Sequence, residues 1–449
     1  MALVLAGCAN VPVPEPHALP ATPSSFKNAS VSTPAPVLHE AWWRIFGDAE
    51  LDALMDRAMA HSTTVQAAAA RLAQSRAIAW QSDAARSPQV DITASSGRQG
   101  GHFNRAHNQA GTLNALRLDA SYEVDLVGRL SKASQAARLD ERAAESLLAD
   151  ARLLVQADVA QTYFAIRAID AERALVRDTV AAYRDTLTLT ERRQAAGDVG
   201  ELDVARARTE VAANESQALD LDRRRVQVET ALAVLVGEVP GSAGIAEAAW
   251  SDTLPAVPAG LPGSMLTRRP DVAAARASYQ AAQARIGVAQ AAWFPNLTLT
   301  AAAGGASPQL SDLFKTSAGL WGVNALLSLP VLDGGRREAG VQAAAAQADD
   351  AAARYREQVL RAFRDVEDQL AGLSLLRAQR QAQAAAVSAA ERAVALSDSR
   401  YRNGLVSQLD LLDSRRTALA NRRVAVQVKA AQFQATVALI KALGGGWSS

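Results

Sequence analysis

The side chains that could act as nucleophiles, acid–base groups or metal ligands are few and scattered. The chain of 449 residues carries one cysteine, Cys8, and five histidines, none of them spaced as in an H-x-x-x-H zinc site. His102 and His107 lie in a Gly-containing stretch, where two such histidines are expected at the surface rather than on a metal. No phosphate-binding Walker loop and no G-x-S-x-G elbow is present. The sequence therefore predicts neither an enzyme nor a metal site.

Composition excludes several classes of protein. With 47 basic and 46 acidic residues the net charge is +1, which argues against a nucleic-acid partner. A hydrophobic content of 49% argues against disorder throughout, and one cysteine excludes an intrachain disulfide. No apolar stretch is long enough for a transmembrane helix. Composition alone predicts a soluble protein of about three domains, an expectation that the features below replace.

The only cysteine ends a run of apolar and small residues, Leu5-Ala6-Gly7-Cys8. This run resembles a bacterial lipobox, in which the cysteine is lipidated and the chain is cleaved just before it. Residues 1–8 would then be a signal remnant, and the Pro-rich residues 9–40 a tether. Ala9, rather than Asp, follows the cysteine, which by resemblance to bacterial lipoproteins favours the outer membrane. The alternative is a buried cysteine, and the short leader leaves open a start codon upstream of Met1.

An internal duplication is the most informative feature of the sequence. Gly, Pro, Asp and Asn residues recur at an offset of 207, as in Pro88 and Pro295, and Gly197 and Gly404. Arg208 and Arg415 match at the same offset. The body is thus two similar halves, predicted at 41–250 and 251–449, joined by a Pro/Gly-rich stretch.

Each half shows the same order of predicted elements. An Ala-rich helix is followed by two alternating segments, a very long helix, a Gly-containing break and a last helix. The helices are predicted at 49–87, 129–195 and 201–236 in the first half, and at 269–293, 336–402 and 407–443 in the second.

The long helices decide the architecture. Residues 129–195 and 336–402 contain no proline, and each would span roughly 100 Å at about 1.5 Å per residue. A compact domain of about 200 residues has a radius of gyration of only about 16 Å. We therefore expect these helices to pack lengthwise as an antiparallel coiled coil or elongated bundle.

The alternating segments predict β-strands at 88–98, 112–127, 295–303 and 319–332. Apolar and polar residues alternate along them, as in strands that face lipid on one side and water on the other. The alternative is a half-buried amphipathic hairpin. Four strands cannot close a barrel, two copies would leave no lumen, and three copies would supply twelve strands. Tyr122, Trp321 and Trp293 are candidate interfacial aromatics, although core packing is an equal alternative for Trp293.

Several motifs carry a resemblance to a known family. They are Trp42-Trp43-Arg44-Ile45-Phe46-Gly47-Asp48, Asp125-Leu126-Val127-Gly128-Arg129, Arg268-Arg269-Pro270-Asp271-Val272, Leu332-Asp333-Gly334-Gly335-Arg336, Tyr401-Arg402-Asn403-Gly404, Leu409-Asp410-Leu411-Leu412-Asp413 and Leu443-Gly444-Gly445-Gly446-Trp447. In order and spacing the chain resembles the outer-membrane factors of tripartite efflux systems, the TolC-like channels. The similarity covers the whole chain and is closest to the lipoprotein members that serve RND-type pumps.

The resemblance implies a mainly α fold with a β-barrel portion. Long antiparallel coiled-coil helices would form a periplasmic α-barrel, and four transmembrane strands from each chain of a homotrimer would form a twelve-stranded barrel in the outer membrane. A collar would form near residues 40–50, 237–268 and the C-terminus. The implied function is passive exit of drugs or small toxic compounds, with a periplasmic adaptor, an inner-membrane RND-type pump and outer-membrane lipid as partners. No cofactor is expected beyond a covalent lipid on Cys8.

Other functions remain open at this point. The same fold could serve type I protein secretion or metal-ion efflux. A different class of protein, a lipid-tethered periplasmic coiled-coil scaffold with soluble hairpins, is also compatible with the residues.

The resemblance also implies site residues. Leu409 and Asp413 would form constrictions in a periplasmic gate, with Tyr401, Arg402 and Arg416 tying neighbouring helices together. The corners at Gly197, Asp198 and Glu201, and at Gly404 and Asp410, would dock the adaptor. The alternatives are that Leu409 packs in a helical seam, that Asp413 is a solvated surface charge, and that the corners are ordinary turns.

Overall fold

The structure, a computed structural model, describes residues 22–28, 41–99, 111–241, 244–248, 250–257 and 262–446. Its described residues form two compact units. The strand unit contains Ala70–Ser146 and Ala274–Gln358, and the helical unit contains Pro20–Ala69, Leu147–Ala273 and Val359–Ser449. Each unit draws residues from both sequence repeats, so the compact units do not coincide with the repeats.

Eight α-helices and four β-strands occur in the described ranges. The helices are α1 Ala49–His61, α2 Thr63–Ala84, α3 Arg129–Ala195, α4 Glu201–Leu235, α5 Pro262–Arg268, α6 Pro270–Ala291, α7 Arg336–Arg402 and α8 Gln408–Ala442; the strands are β1 Gln89–Gln99, β2 Gly111–Val124, β3 Asn296–Ser307 and β4 Gly319–Ser328. Helices α3 and α7 begin 207 residues apart and have equal lengths of 67 residues. Helices α4 and α8, 35 residues each, keep the same offset. The two-fold repeat is therefore a repeat of structure.

The first Ala-rich segment is two helices rather than the single predicted helix 49–87. Ser62 takes an extended conformation (φ −59°, ψ 121°) between α1 and α2. Gly237 packs against this junction so closely that an added Cβ would lie 2.2 Å from the carbonyl oxygen of His61. This contact joins positions far apart in sequence, so local patterning does not reveal it.

The strands form one antiparallel sheet in the order β1-β2-β3-β4. The observed bounds of β1 and β2 lie close to the predicted segments, whereas β3 continues to Ser307 rather than 303 and β4 ends at Ser328 rather than 332. Pro330 has no N–H to donate to a sheet and accounts for the early end.

The register separates the residues of the sheet onto two faces. Ile92, Leu118, Ala303 and Trp321 are paired across the four strands and lie in one row on one face. Asp91, Asp119, Ala302 and Gly322 form the adjacent row on the opposite face, because successive residues of a strand alternate between faces. The alternation read in the sequence is thus realised by all four strands.

The two units have different cores. The helical unit is centred on large side chains, with Trp42, Tyr163 and Phe164 almost fully buried. The rings of Phe164 and Phe433 lie 4.8 Å apart, and Trp250 packs on Phe433 at 5.0 Å. The strand unit is held by small residues, such as Ala136 and Ala281. Because alanine lets helix backbones approach closely, the Ala-rich composition reflects helix pairing.

None of the helices that the structure describes is both long and apolar enough to cross a lipid bilayer.

Residues 22–28, the N-terminal strap, are attached to helix α7. Glu367 accepts hydrogen bonds from the backbone N–H groups of Lys27 (2.6 Å) and Asn28 (3.3 Å) and from the Asn28 side chain (2.9 Å). Phe26 is buried beside this contact. One carboxylate thus holds three donors from a stretch that lies within the predicted tether, residues 9–40.

Candidate functional site

Both long helices end in the same kind of turn. Gly197 (φ +82°) and Gly404 (φ +71°) occupy the left-handed conformation that glycine adopts without strain. The N–H groups of Asp198 and Leu405 donate to the carbonyls of Arg193 and Arg400, both at 2.9 Å, which is the long hydrogen bond of a Schellman cap. Glycine is therefore the favoured residue at both corners, which are equivalent positions of the two repeats.

The helix after the second corner begins with a capping box that the first corner lacks. The Ser407 hydroxyl donates to Asp410 (2.7 Å) and accepts from the N–H of Asp410 (3.3 Å). This hydrogen bonding holds the pKa of the Asp410 carboxyl below its usual range. Gly200 stands at the equivalent position of the first corner and offers no side-chain cap. Asp410, a predicted docking residue, is thus occupied in starting helix α8.

Leu409 and Asp413 lie one turn apart on the exposed side of helix α8. Leu409 is 48% exposed and Asp413 is also exposed, whereas Leu411 and Leu412 are 1% exposed. Leu411 and Leu412 provide the packing contacts, so Leu409 is not in a buried seam of this chain. The equivalent residues in the first repeat are Leu202 and Arg206, so the acidic member of the pair occurs only in the second repeat.

Tyr401 is buried and packs between the two long helices. The guanidinium of Arg193, from α3, lies 4.9 Å from the centre of the Tyr401 ring. Only 4% of Tyr401 is exposed, and its hydroxyl has no hydrogen-bond partner among the described residues. A cation on the ring face of a buried tyrosine links α7 to α3 at the corners.

Arg416 forms an ion pair with Glu210 of helix α4, which connects the second repeat to the first. The hydrogen bond that Arg416 donates to the Glu210 carboxylate raises the pKa of Arg416, which therefore stays charged. Tyr183 lies in the same cluster, where burial, followed by the charge of Glu210, raises its pKa to about 12. Arg416 thus joins helix α8 to helix α4 within one chain, and its role in the gate stays a prediction.

Among the described residues, Arg402 forms its ion pair within its own helix, and its role in tying neighbouring helices stays a prediction. It pairs with Asp398, one turn earlier on its own helix, at 2.8 Å. Arg415, which was not among the predicted gate residues, makes the inter-helix contacts. It donates to Asp398 of α7 (3.0 Å) and to the carbonyl of Ala182 on α3 (3.2 Å).

The repeat offset carried a signal for Arg415. Arg208, its equivalent, pairs with Glu191 at 2.9 Å, and Glu191 is the equivalent of Asp398. The same arginine–carboxylate pair therefore closes the last turns of both helical hairpins. Matching Arg208 with Arg415 in the sequence was sufficient to suggest a shared role.

The first corner presents Gly197, Asp198 and Glu201 to solvent. Glu201 accepts a hydrogen bond from the Gln194 side chain at 2.7 Å. Gly404, at the second corner, is exposed too. The predicted docking residues are accordingly accessible in the chain, and their docking role stays a prediction.

One face of the sheet exposes large apolar side chains. Trp321 is 82% exposed, Ile92 75% and Val323 72%. The opposite face carries Asp91 and Asp119, and Arg117 lies 3.2 Å from Asp119. An apolar face without a protein cover, backed by a charged face, is the arrangement of strands between lipid and water.

The other two candidate aromatics differ from Trp321. Trp293 stacks under the guanidinium of Arg337 at 4.5 Å, so it has a polar partner within the chain. Tyr122 lies on the apolar face, beside Leu299 of β3. Cys8, His102 and His107 lie outside the described residues. In the described ranges, no three His, Cys, Asp or Glu residues are grouped to hold a metal ion.

Comparison with known proteins decides the family. A family model for the outer membrane efflux protein matches residues 54–238 and 261–445, one match for each repeat. The chain belongs to the outer membrane efflux protein family. It is 34% identical to the pyoverdine export outer membrane protein OpmQ of Pseudomonas aeruginosa, covering 100% of this chain and 96% of that protein. It is 30% identical to the cation efflux system protein CusC of Escherichia coli, covering 100% and 97%.

The fold matches a solved structure of the same kind. The outer-membrane channel OprN superposes with a TM-score of 0.90 at 25% identity, covering 98% of this chain and 99% of that one. The expected fold class is confirmed, and so is the expected function of an efflux exit channel in the outer membrane. The alternative of a tethered soluble scaffold is thereby removed. The family is one of channels rather than enzymes.

Proposed function

We propose that three copies of this chain form a passive outer-membrane exit duct with a twelve-stranded barrel and a periplasmic helical tube. The four-stranded sheet is open, with β1 and β4 as its edges. Open edges need partners, and three such sheets paired edge to edge leave a lumen. The apolar face would then lie against lipid, and the face with Asp91 and Asp119 would line the lumen. The channel would do no catalysis, and the pump would supply energy and selection.

The proposed periplasmic gate is formed by Leu409 and Asp413. The observation that carries it is their exposure on one side of α8, whereas Leu411 and Leu412 of the same turn are buried. In a trimer these residues would form a ring of leucines and a ring of carboxylates. An apolar ring resists wetting, and a carboxylate ring attracts cations and repels anions. Tyr401, Arg416 and Arg415 would hold the helices that carry the rings.

Single-channel recording in planar bilayers tests the gate. We expect Asp413→Asn to lower the cation-to-anion permeability ratio, and Leu409→Ala to raise the conductance. Asp368→Asn, which removes an exposed carboxylate from α7, is the matched control and should change neither. If both gate variants conduct like the parent trimer, Leu409 and Asp413 do not form the gate.

The proposed partners are a periplasmic adaptor and an RND-type inner-membrane pump. Support comes from the exposed corners at Gly197 and Gly404 and from relatives named as components of export and efflux systems. Site-specific crosslinking in cells tests the docking role. We expect Asp198→Lys and Glu201→Lys to reduce crosslinking to the adaptor, and Asp349→Lys, remote from the corners, to leave it unchanged. An intact crosslinked complex in both corner variants would make the corners ordinary turns.

The proposed cargo is small molecules that harm the cell, such as drugs. Relatives at similar identity are named for pyoverdine export and for cation efflux, so the cargo of the family is broad. Metal ions and secreted polypeptides remain alternatives. Deleting the gene and measuring growth inhibition by drugs and by copper, silver and zinc salts separates the first two classes. Increased sensitivity to metal salts alone would favour the cation alternative.

We also propose that the Cys8 thiol carries a covalent lipid. Mass spectrometry of the mature N-terminal peptide tests this modification directly. A lipid-modified cysteine as the first residue is expected, and Cys8→Ser should abolish the added mass. An unmodified Cys8 in the protein purified from membranes would contradict the assignment.

A further inference from the structure

A preformed pocket lies on the apolar face of the sheet, under the connection between β3 and β4. Its volume is about 520 Å³, which is within the range of small-ligand sites of about 300–1,000 Å³. Its lining includes residues of three strands and of that connection, among them Ile92, Leu116, Leu118, Ala303, Leu313 and Lys315. The register places Ile92, Leu118 and Ala303 in one row of the apolar face. The floor of the pocket is therefore part of the face proposed to lie against lipid.

The connection between β3 and β4 is fixed over the sheet by close packing and hydrogen bonds. A Cβ on Gly305 would lie 2.3 Å from the carbonyl oxygen of Leu313, so only glycine allows this approach. The Asn114 side chain, 5% exposed, donates to the carbonyls of Ser307 (3.3 Å) and Pro308 (3.0 Å). It also accepts from the hydroxyl of Ser96 at 2.7 Å. A buried amide with all these partners holds the start of the connection in place, so the pocket is present without a ligand.

The rim of the pocket combines an apolar and a cationic side chain. Phe314 is 84% exposed, and the Lys315 side chain is 63% exposed. The Lys315 ammonium pairs with Asp312 at 2.7 Å. An ion pair this exposed contributes little free energy, so a phosphate can compete for the ammonium. The pocket therefore presents an acyl-sized apolar cavity beside a cation.

We propose that this pocket binds a phosphorylated glycolipid of the outer leaflet, the lipid A portion of lipopolysaccharide, with an acyl chain on the apolar floor and a phosphate on Lys315. The connection between β3 and β4 lies at the rim remote from the long helices, which is the outer rim if those helices are periplasmic. This inference rests on the proposed function, because it requires the apolar face to lie against lipid. Continuity of the pocket with that face and the charge of Lys315 both favour a lipid phosphate.

Binding is tested with trimers purified in detergent and stripped of lipid. Native mass spectrometry with added lipid A should show a bound molecule, whereas dephosphorylated lipid A should bind at least several-fold more weakly. We expect Lys315→Glu to weaken lipid A binding about tenfold or more, the loss of one charged hydrogen-bond contact. Ala303→Phe should block the floor, and Ala301→Phe, on the same face but outside the pocket, is its matched control.

The outcomes separate this proposal from the proposed function. Conductance of the parent trimer tests the channel by itself, and all three variants should conduct normally. Equal lipid A binding by Ala303→Phe and Ala301→Phe trimers would overturn the pocket. Equal binding of lipid A and dephosphorylated lipid A would show general lipid contact and would also overturn it. If Ala303→Phe fails to form trimers, lipid A binding by Lys315→Glu and Lys315→Gln trimers tests the phosphate contact, and binding equal to that of the parent in both would overturn it.

Discussion

At the scale of single residues, Asp150 is a carboxyl group whose ionisation is disfavoured by the fold. Burial raises its pKa to about 6, and the nearby Asp271 acts in the same direction. The cations Arg269 and Lys441 oppose the shift without cancelling it. The folded pKa lies above the ordinary value of 3.8, so the folded state binds this proton more tightly than the unfolded state. The contribution of Asp150 to the free energy of unfolding is therefore fully present below about pH 4. It is lost as the pH rises through about 6 and stays absent above that.

Replacing Asp150 by asparagine should therefore stabilise the protein at neutral and alkaline pH. We expect Asp150→Asn to be more stable by on the order of 1–3 kcal/mol at pH 8, with little difference at pH 4. Melting temperatures of parent and variant in detergent, measured from pH 4 to pH 8, give the comparison. Asp349→Asn, at an exposed carboxylate, should show no such divergence. A constant difference between parent and Asp150→Asn across this range would contradict the assignment.

Two glycines have the same backbone conformation but different surroundings, so alanine substitutions at both distinguish backbone strain from steric crowding. Gly197 and Gly237 have φ values of +82° and +80°. A Cβ on Gly197 would meet nothing within 4 Å, whereas one on Gly237 would meet the His61 carbonyl. Gly197→Ala should thus lower the free energy of unfolding only by the cost of placing alanine in the left-handed conformation, about 1–2 kcal/mol. Gly237→Ala should lose clearly more, seen as a larger drop in melting temperature. Equal drops would mean that the α1–α2 junction moves aside freely.

At the scale of elements, the strap offers a test of how the tether joins the body. Lys27 is the only lysine or arginine before Arg44, so trypsin can cut the N-terminal region at one place. Glu367→Gln removes the charge that accepts the three strap hydrogen bonds, and we expect cleavage after Lys27 to accelerate several-fold. Charged hydrogen bonds contribute about 1.5–3 kcal/mol each, so weakening them is sufficient for a several-fold faster cleavage.

The control for the strap is Asp368→Asn, the neighbouring exposed carboxylate. Gel mobility and N-terminal sequencing over a time course give the rate of cleavage. We expect the control to be cut at the parent rate. Fast cleavage of the parent protein itself would show that the strap is not held in solution.

The elements themselves were largely predictable from the sequence. The bounds of α3 and α7 follow from unbroken helical patterning that ends at Gly197 and Gly404, which are local signals. The break between α1 and α2 at Ser62 is not predictable from local patterning, because Gly237, which packs against it, lies at a distant point of the chain. The contacts of Arg402 and Arg415 could not be assigned from spacing, since both lie within reach of Asp398 and only packing selects the inter-helix partner.

At the scale of the whole molecule, the duplication explains how an ordinary composition is compatible with a membrane channel. Each repeat supplies two strands, a long helix and a shorter one, and the corners are closed by equivalent pairs, Arg208 with Glu191 and Arg415 with Asp398. The membrane-facing residues alternate with polar ones, so they leave no mark in average hydropathy. The repeats differ at the proposed gate, because Asp413 has Arg206 as its sequence counterpart in the other repeat.

Two neighbouring residues of β4 test which face of the sheet lies against lipid. Val323 is 72% exposed on the apolar face, and Asn324 is on the polar face beside Thr300. An arginine on the lipid face costs about 2–4 kcal/mol near the middle of the bilayer and about 0–1 kcal/mol near its surfaces. Val323→Arg should therefore lower the amount of heat-modifiable trimer in the outer-membrane fraction. Asn324→Arg should assemble normally and shift permeability toward anions. The opposite result, with Asn324→Arg failing to assemble, would reverse the assignment of the two faces. Both variants introduce the same arginine and the same change in charge, so the surrounding medium decides which of them assembles.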